Sequence, residues 1–223
     1  AEEVYIHIRR HVNLSAKFAI LFFHGNGEIV SDYDGLAGEF SGLGAELIVA
    51  DYRGYGKSTG KPTLRDALAD ASVIYEFLKK NNILSCQVCI MGRSLGSALA
   101  IEICSKYSEV NACIIESGYA DPIPLVQRRG LEIKSISPEE NAVFNNSNKI
   151  KKVECPLLIM HGKKDMLISS QEALMNYRCA SSRKKFIGVG NWDMIDGSET
   201  LMHFKEYVEN SNESILIKSD WKA

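Results

Sequence analysis

Short, continuous apolar runs recur along the chain. Phe18-Ala-Ile-Leu-Phe-Phe23, Leu47-Ile-Val-Ala50, Gln87-Val-Cys-Ile-Met91, Ala112-Cys-Ile-Ile115 and Leu157-Leu-Ile-Met160 are all strand-sized, and Lys185-Phe-Ile-Gly-Val189 is a weaker sixth. Runs of this kind suit strands covered on both faces. Between them the apolar period lengthens to that of a helix. Tyr33, Leu36, Ala37, Phe40 and Leu43 share one helical face, and Leu64, Leu68, Ala71, Tyr75 and Leu78 share another. Thr63, after Pro62, is placed to cap the second. Residues 95–107, 169–180 and 197–210 predict further helices. Strand–helix alternation implies an α/β fold, a mainly parallel sheet with helices on both faces. Ligands in such folds gather at the C-terminal ends of the strands.

Two stretches fall outside the alternation. Residues 119–150 contain Pro122, Pro124 and Pro138 and predict a minimal lid over the active face. Residues 211–223, with Ile215-Leu-Ile217, form a C-terminal appendage, either a tail or a small packing or dimerisation strand. There is no internal repeat, low-complexity tract or Pro/Gly-rich linker, so residues 1–223 are expected to form a single domain.

Composition narrows the function classes. The chain is 45% hydrophobic and 24% charged, which argues against disorder and against a disulfide scaffold. Its 26 basic and 28 acidic residues give a net charge of −2, without the basic excess of a nucleic-acid binder. No apolar run approaches the roughly 18 residues of a membrane span. Ala1-Glu2-Glu3 does not resemble the start of a signal peptide, although residue 1 is not Met and a processed start stays open. Six cysteines are too sparse for a disulfide framework, and a cytoplasmic location is the expectation. Cys86 and Cys89 fall on opposite faces of a strand and suit buried packing better than a shared metal. Oligomeric state is left open.

The strongest chemical signal is Gly92-Arg93-Ser94-Leu95-Gly96, which follows a predicted strand and opens a predicted helix. That context makes Gly-x-Ser-x-Gly a nucleophile elbow, with Ser94 on a sharp turn and two glycines permitting close approach of strand and helix. The bland alternative is a glycine-rich turn with an incidental serine. Strand 18–23 ends in His24-Gly25-Asn26-Gly27. An acyl-transfer enzyme aims backbone N–H groups at the developing oxyanion. Leu95 supplies one and Asn26 the other, while His24 braces the turn. A third motif, His161-Gly162-Lys163-Lys164-Asp165, follows strand 157–160 and places a carboxylate where it could orient an imidazole.

These motifs carry a resemblance. Phe23-His-Gly-Asn-Gly27, Asp51-Tyr-Arg-Gly-Tyr-Gly-Lys-Ser58, Gly92-Arg-Ser-Leu-Gly96 and His161-Gly-Lys-Lys-Asp165 stand in family order and spacing. Over nearly its whole length the chain resembles the α/β-hydrolase superfamily. It is most similar to the compact Bem46-like and serine-aminopeptidase-like serine hydrolases. The resemblance implies an eight-stranded, mainly parallel sheet, here short of its first strands. It also implies ester, thioester or amide hydrolysis through an acyl-enzyme on Ser94, with a small acyl, ester or peptide substrate. No metal or organic cofactor is implied.

One position departs from the family. The triad order on this fold is Ser, Asp, His, and the histidine is expected in a Gly-x-Gly-His-x-Asp segment. Here the segment reads Gly188-Val189-Gly190-Asn191-Trp192-Asp193, with Asn191 in the histidine's place. An amide has no basic nitrogen and cannot take the serine proton. Of the five histidines, His203 is the only one downstream of Asp165, and it falls in a predicted flanking helix. His7 and His11 precede the first predicted core strand and are expected to be remote. Three explanations stay open: a weak or inactive natural homologue, a variant with its base removed, or a base arriving from elsewhere. The expectation is a serine hydrolase of unknown substrate with weak or absent activity. The alternative is a non-catalytic binding protein holding a small acyl or peptide ligand. Arg53, Lys57, Arg93, Lys163 and Lys164 fall on loops at the active end, where solvated charge is the preferred reading over an anion site.

Overall fold

A computed structural model describes residues 3–128 and 130–189. Its strands are β1 (Ile8–His11), β2 (Phe18–Phe23), β3 (Ala45–Ala50), β4 (Gln87–Arg93), β5 (Ala112–Glu116), β6 (Leu157–Gly162) and β7 (Lys184–Val189). Among the described residues they form a seven-stranded sheet in the order β1-β3-β2-β4-β5-β6-β7. Only β1 is antiparallel to its neighbour; every other pair is parallel. All six expected strands are present, the weaker sixth included.

The helices are α1 (Ala37–Gly42), α2 (Leu64–Lys80), α3 (Gly96–Lys106), α4 (Pro122–Arg128), α5 (Pro138–Phe144), α6 (Asn146–Lys149) and α7 (Ser170–Cys179). Because side chains alternate along a strand, each apolar run feeds two cores at once. Leu21, Phe23, Ile48, Ile90, Cys113 and Ile159 enter the layer that also holds α2 and α3. Ile20, Phe22, Leu47, Val49, Met91 and Ile114 enter the opposite layer, with Tyr33 and Phe40. Every residue of β2, β3, β5 and β6 is buried, as a two-sided sheet requires. This sheet with helices on both faces is the α/β-hydrolase fold.

Helix α2 begins as its sequence predicts. The Thr63 side chain accepts the Asp66 N–H at 3.1 Å, and Ala67, Leu68, Ala71, Ile74, Tyr75 and Leu78 face the core. Two features differ from expectation. The segment read as one helix over 33–43 is a 3-10 stretch, Val30–Leu36, followed by the short α1. Gly35, Gly38 and Gly42 weaken α-helical continuity there, and burial is confined to a few residues such as Tyr33 and Phe40. Strand β1 carries no apolar run. It is an edge strand whose charge is absorbed laterally, the Arg10 guanidinium binding the Glu46 carboxylate. The expected helix 197–210 and the appendage 211–223 lie outside the described residues. All six cysteines are free thiols. No described helix is long and apolar enough to cross a membrane.

Candidate active site

The C-terminal ends of β2, β4 and β6 carry the three motifs, so one rim of the sheet holds His24, Asn26, Ser94, Leu95 and Asp165. At the end of β4 the chain turns sharply through Ser94, which has φ 52°. For a residue with a Cβ this left-handed conformation costs about 1–2 kcal/mol, so the surroundings must impose it. They do so from both sides. The Ser94 N–H donates to the Glu116 carbonyl at 2.9 Å, and the Ser97 hydroxyl donates to the Ser94 carbonyl at 2.6 Å. A Cβ on Gly92 would overlap the Gly96 carbonyl, and one on Gly96 would overlap the Phe23 carbonyl. Both glycines of the motif are therefore sterically required.

Ser94, Leu95 and Asn26 line one cleft of about 190 Å³, together with Leu64, Tyr119, Pro122, Leu125 and Val126. Leu95 is the residue leading into α3, so its N–H belongs to the helix-terminal amides that have no acceptor within the helix. The loop bearing Asn26 is held by a brace from the segment after β3. The Tyr52 hydroxyl donates to the His24 carbonyl, and the Tyr55 hydroxyl donates to Asn26 Oδ1. Burial first, with nearby acidic groups adding to it, pushes the Tyr52 phenol well above its ordinary value, so it stays a donor.

His24 is fully buried. Its Nδ1 donates to the Gly25 carbonyl at 2.8 Å, and its Nε2 lies 3.3 Å from Asp51 Oδ1. It braces the turn, as expected. Asp51, also fully buried, accepts the Val30 N–H at 2.9 Å and meets His7 Nδ1 at 3.0 Å. His7, expected to be remote, thus reaches the underside of the loop through Asp51. Glu28 completes the brace by accepting the Gly25 N–H at 2.7 Å and the Tyr33 hydroxyl.

Asp165 stands apart from this cleft. Its Oδ1 accepts the N–H groups of Leu167 at 2.9 Å and Ile168 at 2.8 Å, while Oδ2 lies 3.6 Å from His161 Nε2. That ring nitrogen donates to the Ile168 carbonyl at 2.8 Å, so His161 shapes the turn. One oxygen of Asp165 accepts both amides, and the other has no nearer partner among the described residues than His161 Nε2 at 3.6 Å. Ser94 follows β4 and Asp165 follows β6, with β5 between. Two strand spacings make roughly 10 Å between those strand axes. Asn191, the position that would bridge them in the family pattern, lies outside the described residues, as do Trp192 and His203.

The loop cations separate into two groups. Arg53 binds Asp70 and lies 3.5 Å from Asp66. Arg93 sits between Glu28 and Glu116, at 3.5 and 3.6 Å. Lys57, Lys163 and Lys164 are exposed. The two guanidinium groups are engaged by carboxylates of the protein and make no anion site. Among the described residues no group of three or more His, Cys, Asp and Glu side chains could hold a metal ion.

Residues 15–137 match the family model described as serine aminopeptidase, S33. The chain belongs to the S33 family. Within it, the chain is a Bem46-like α/β hydrolase. It is 30% identical over 175 residues to the protein bem46 of Schizosaccharomyces pombe, covering 75% of this chain and 58% of that protein. It is 32% identical over 174 residues to human alpha/beta hydrolase domain-containing protein 17B, covering 74% of this chain and 56% of that one. The chain thus spans less than two thirds of the length of these curated relatives. Among solved structures, Est1E from Butyrivibrio proteoclasticus, bound to ferulic acid, superposes with TM-score 0.74 at 17% identity, covering 92% of this chain and 95% of that one. At that identity the likeness to Est1E is one of fold. The S33 match begins before β2 and ends just before α5, so it spans the Asn26 loop, the Ser94 turn and α4.

Three features were not legible in the S33 motifs alone. The braces from Tyr52 and Tyr55 depend on contacts across 28 and 29 residues of sequence. Their signal is present in the aromatic pair of Asp51-Tyr-Arg-Gly-Tyr-Gly56, but not their partners. The role of His7 has no local signal. The cleft wall from Leu64 and residues 119–126 arises only when two distant segments meet.

Proposed function

We propose that this protein is a serine hydrolase acting on esters, thioesters or amides with an apolar acyl group. Ser94 Oγ attacks the carbonyl carbon, the Asn26 and Leu95 N–H groups receive the oxyanion, and the alcohol, thiol or amine leaves. Water then releases the acid and regenerates Ser94. The observation that supports this most is the strained, glycine-locked Ser94 opening into an apolar cleft with Asn26 and Leu95. Asp165, at the same rim, is the proposed orienting acid, and residues 119–150 the proposed lid.

The weak point of this machinery is the base. With Asn191 in the histidine's place, the proton on Ser94 Oγ has no acceptor in the family position. Turnover is then low. Loss of one triad member costs several orders of magnitude but leaves roughly 10³–10⁴-fold catalysis over water. Asn191 also favours a second function, in which the same cleft binds an acyl or peptide ligand without cleaving it.

A fluorophosphonate probe followed by peptide mass analysis tests the assignment. The expected result is slow labelling of Ser94, strongly accelerated by Asn191→His and abolished by Ser94→Ala. Brisk labelling of the unmodified chain with turnover of a short-chain p-nitrophenyl ester would overturn the missing base. No label on Ser94 in either the native chain or Asn191→His would overturn the hydrolase assignment and leave the binding function.

A further inference from the structure

Three cavities meet at one side chain. The cleft that holds Ser94 is lined by Leu64. So is a cavity of about 180 Å³ walled by Tyr52, Arg53, Tyr55, Pro62 and Leu95. So is a third, of about 240 Å³, walled by Pro122, Ile123, Val126, Ile133, Ile136 and Phe144. Leu95 borders the first two, and Pro122 and Val126 border the Ser94 cleft and the third. Among the described residues, Leu64 alone borders all three.

The two arms differ in chemistry. The arm under α4 and α5 is aliphatic and aromatic. Its one charged lining residue, Glu140, is turned to the Ser137 N–H at 3.0 Å in a capping box. The other arm is also largely apolar but carries the polar side chains Tyr52, Arg53 and Tyr55, whose groups are already committed. Arg53 is held by Asp70, Tyr52 donates to the His24 carbonyl and Tyr55 donates to Asn26. Leu64 stands between them on a fixed backbone. It is the first residue of α2, behind Pro62 and the Thr63 cap.

We infer that Leu64 is the specificity-determining residue of the Ser94 site. It directs an unbranched acyl chain into the arm under α4 and α5, and leaves the Tyr52–Tyr55 arm to the leaving group. The assignment rests on Ser94 being the nucleophile. Two physical arguments support it. A straight hydrocarbon gains about fourfold in binding per methylene removed from water, and the arm under α4 and α5, larger at about 240 Å³ and free of the Tyr52, Arg53 and Tyr55 groups, offers more of that along its length. A residue at a junction controls passage by volume, and Leu has a few discrete rotamers with which to do so.

The test uses ethyl, hexyl and dodecyl fluorophosphonates on the whole chain, reading the rate of adduct formation on Ser94. In the native chain the rate rises from ethyl to dodecyl. Leu64→Trp collapses the dodecyl-to-ethyl ratio by about tenfold or more. Ile136→Trp, at the distal arm, lowers the dodecyl-to-hexyl ratio and spares the hexyl-to-ethyl ratio. Leu64→Phe repeats the first comparison at smaller bulk should the tryptophan not fold. A ratio unchanged in the Leu64 variants, or no length dependence in the native chain, overturns the inference. If Ser94 never labels, the hydrolase assignment fails on its own. Calorimetric binding of ethyl, hexyl and dodecyl phosphonic acids then decides: length dependence lost in the Leu64 variant upholds the sorting role, and a flat series overturns it.

Discussion

The two walls of the Ser94 cleft are built to different tolerances. The wall carrying Asn26 is fastened at nearly every residue. Gly25 is bound by Glu28, His24 by Tyr52 and Asp51, and Asn26 by Tyr55. The opposite wall, α4 and α5, contains no fully buried residue among those described. It is joined to the body by few polar contacts, such as Arg128 donating to the Leu167 carbonyl at 3.1 Å. Hydrogen-bond donors to an oxyanion lose their value with small displacements, whereas an apolar arm works by exclusion of water and tolerates repacking. The more ordered wall is the one that carries the proposed oxyanion donor Asn26.

Substitutions can break this contrast in a graded way. Gly96→Ala should be the most damaging, because its methyl meets the Phe23 backbone and forces β2 and α3 apart. Loss of about 3 kcal/mol or more in a urea melt is expected, together with loss of Ser94 labelling. Next comes Glu102→Gln in α3. Glu102 binds Lys106 at 2.6 Å and Lys149 at 2.9 Å, tying the foot of the 119–150 excursion to the body. About 2 kcal/mol should be lost, measured by chemical denaturation.

The same pair sets a pH dependence. Burial opposes charge on Glu102, but the bonds from Lys106 and Lys149 outweigh it and hold its carboxyl below the ordinary range. Its contribution is therefore complete above the unfolded value near about 4.3 and disappears as pH falls through the lower folded value. Acid melts of the native chain should show this loss, and Glu102→Gln should remove it.

Tyr55→Phe should act more narrowly. Folding is retained, and the fluorophosphonate rate falls about tenfold as Asn26 loses its tether. Equal rates in the two proteins would remove Tyr55 from the brace. The smallest effect belongs to the soft wall. Val126→Ala should change stability by less than about 0.5 kcal/mol, read from thermal melts. A large loss there would erase the contrast between the walls.

How far the sequence revealed these walls follows from the range of the interactions. Strands β2 to β7 were legible because a run such as Phe18–Phe23 satisfies both cores by itself. The turn at Ser94 was legible because sterics between near neighbours, Gly92 and Gly96, dictate it. Strand β1 was not, since Ile8-Arg-Arg-His11 becomes a strand only when Glu46 takes up its charge and β3 its hydrogen bonds. The brace and the three-way junction are likewise properties of the folded chain. Tyr55 finds Asn26, and Leu64 finds Val126, only after the sheet has assembled.

The carboxylate of Asp51 touches His7 from the edge strand's side and His24 from the Asn26 loop. An edge strand is ordinarily the part of a sheet that a shortened or fused protein can best do without. Here the residue preceding β1 shares a buried carboxyl group with the loop that would receive the substrate's oxygen. Removing His7 together with β1 is therefore expected to disturb the Ser94 cleft from behind.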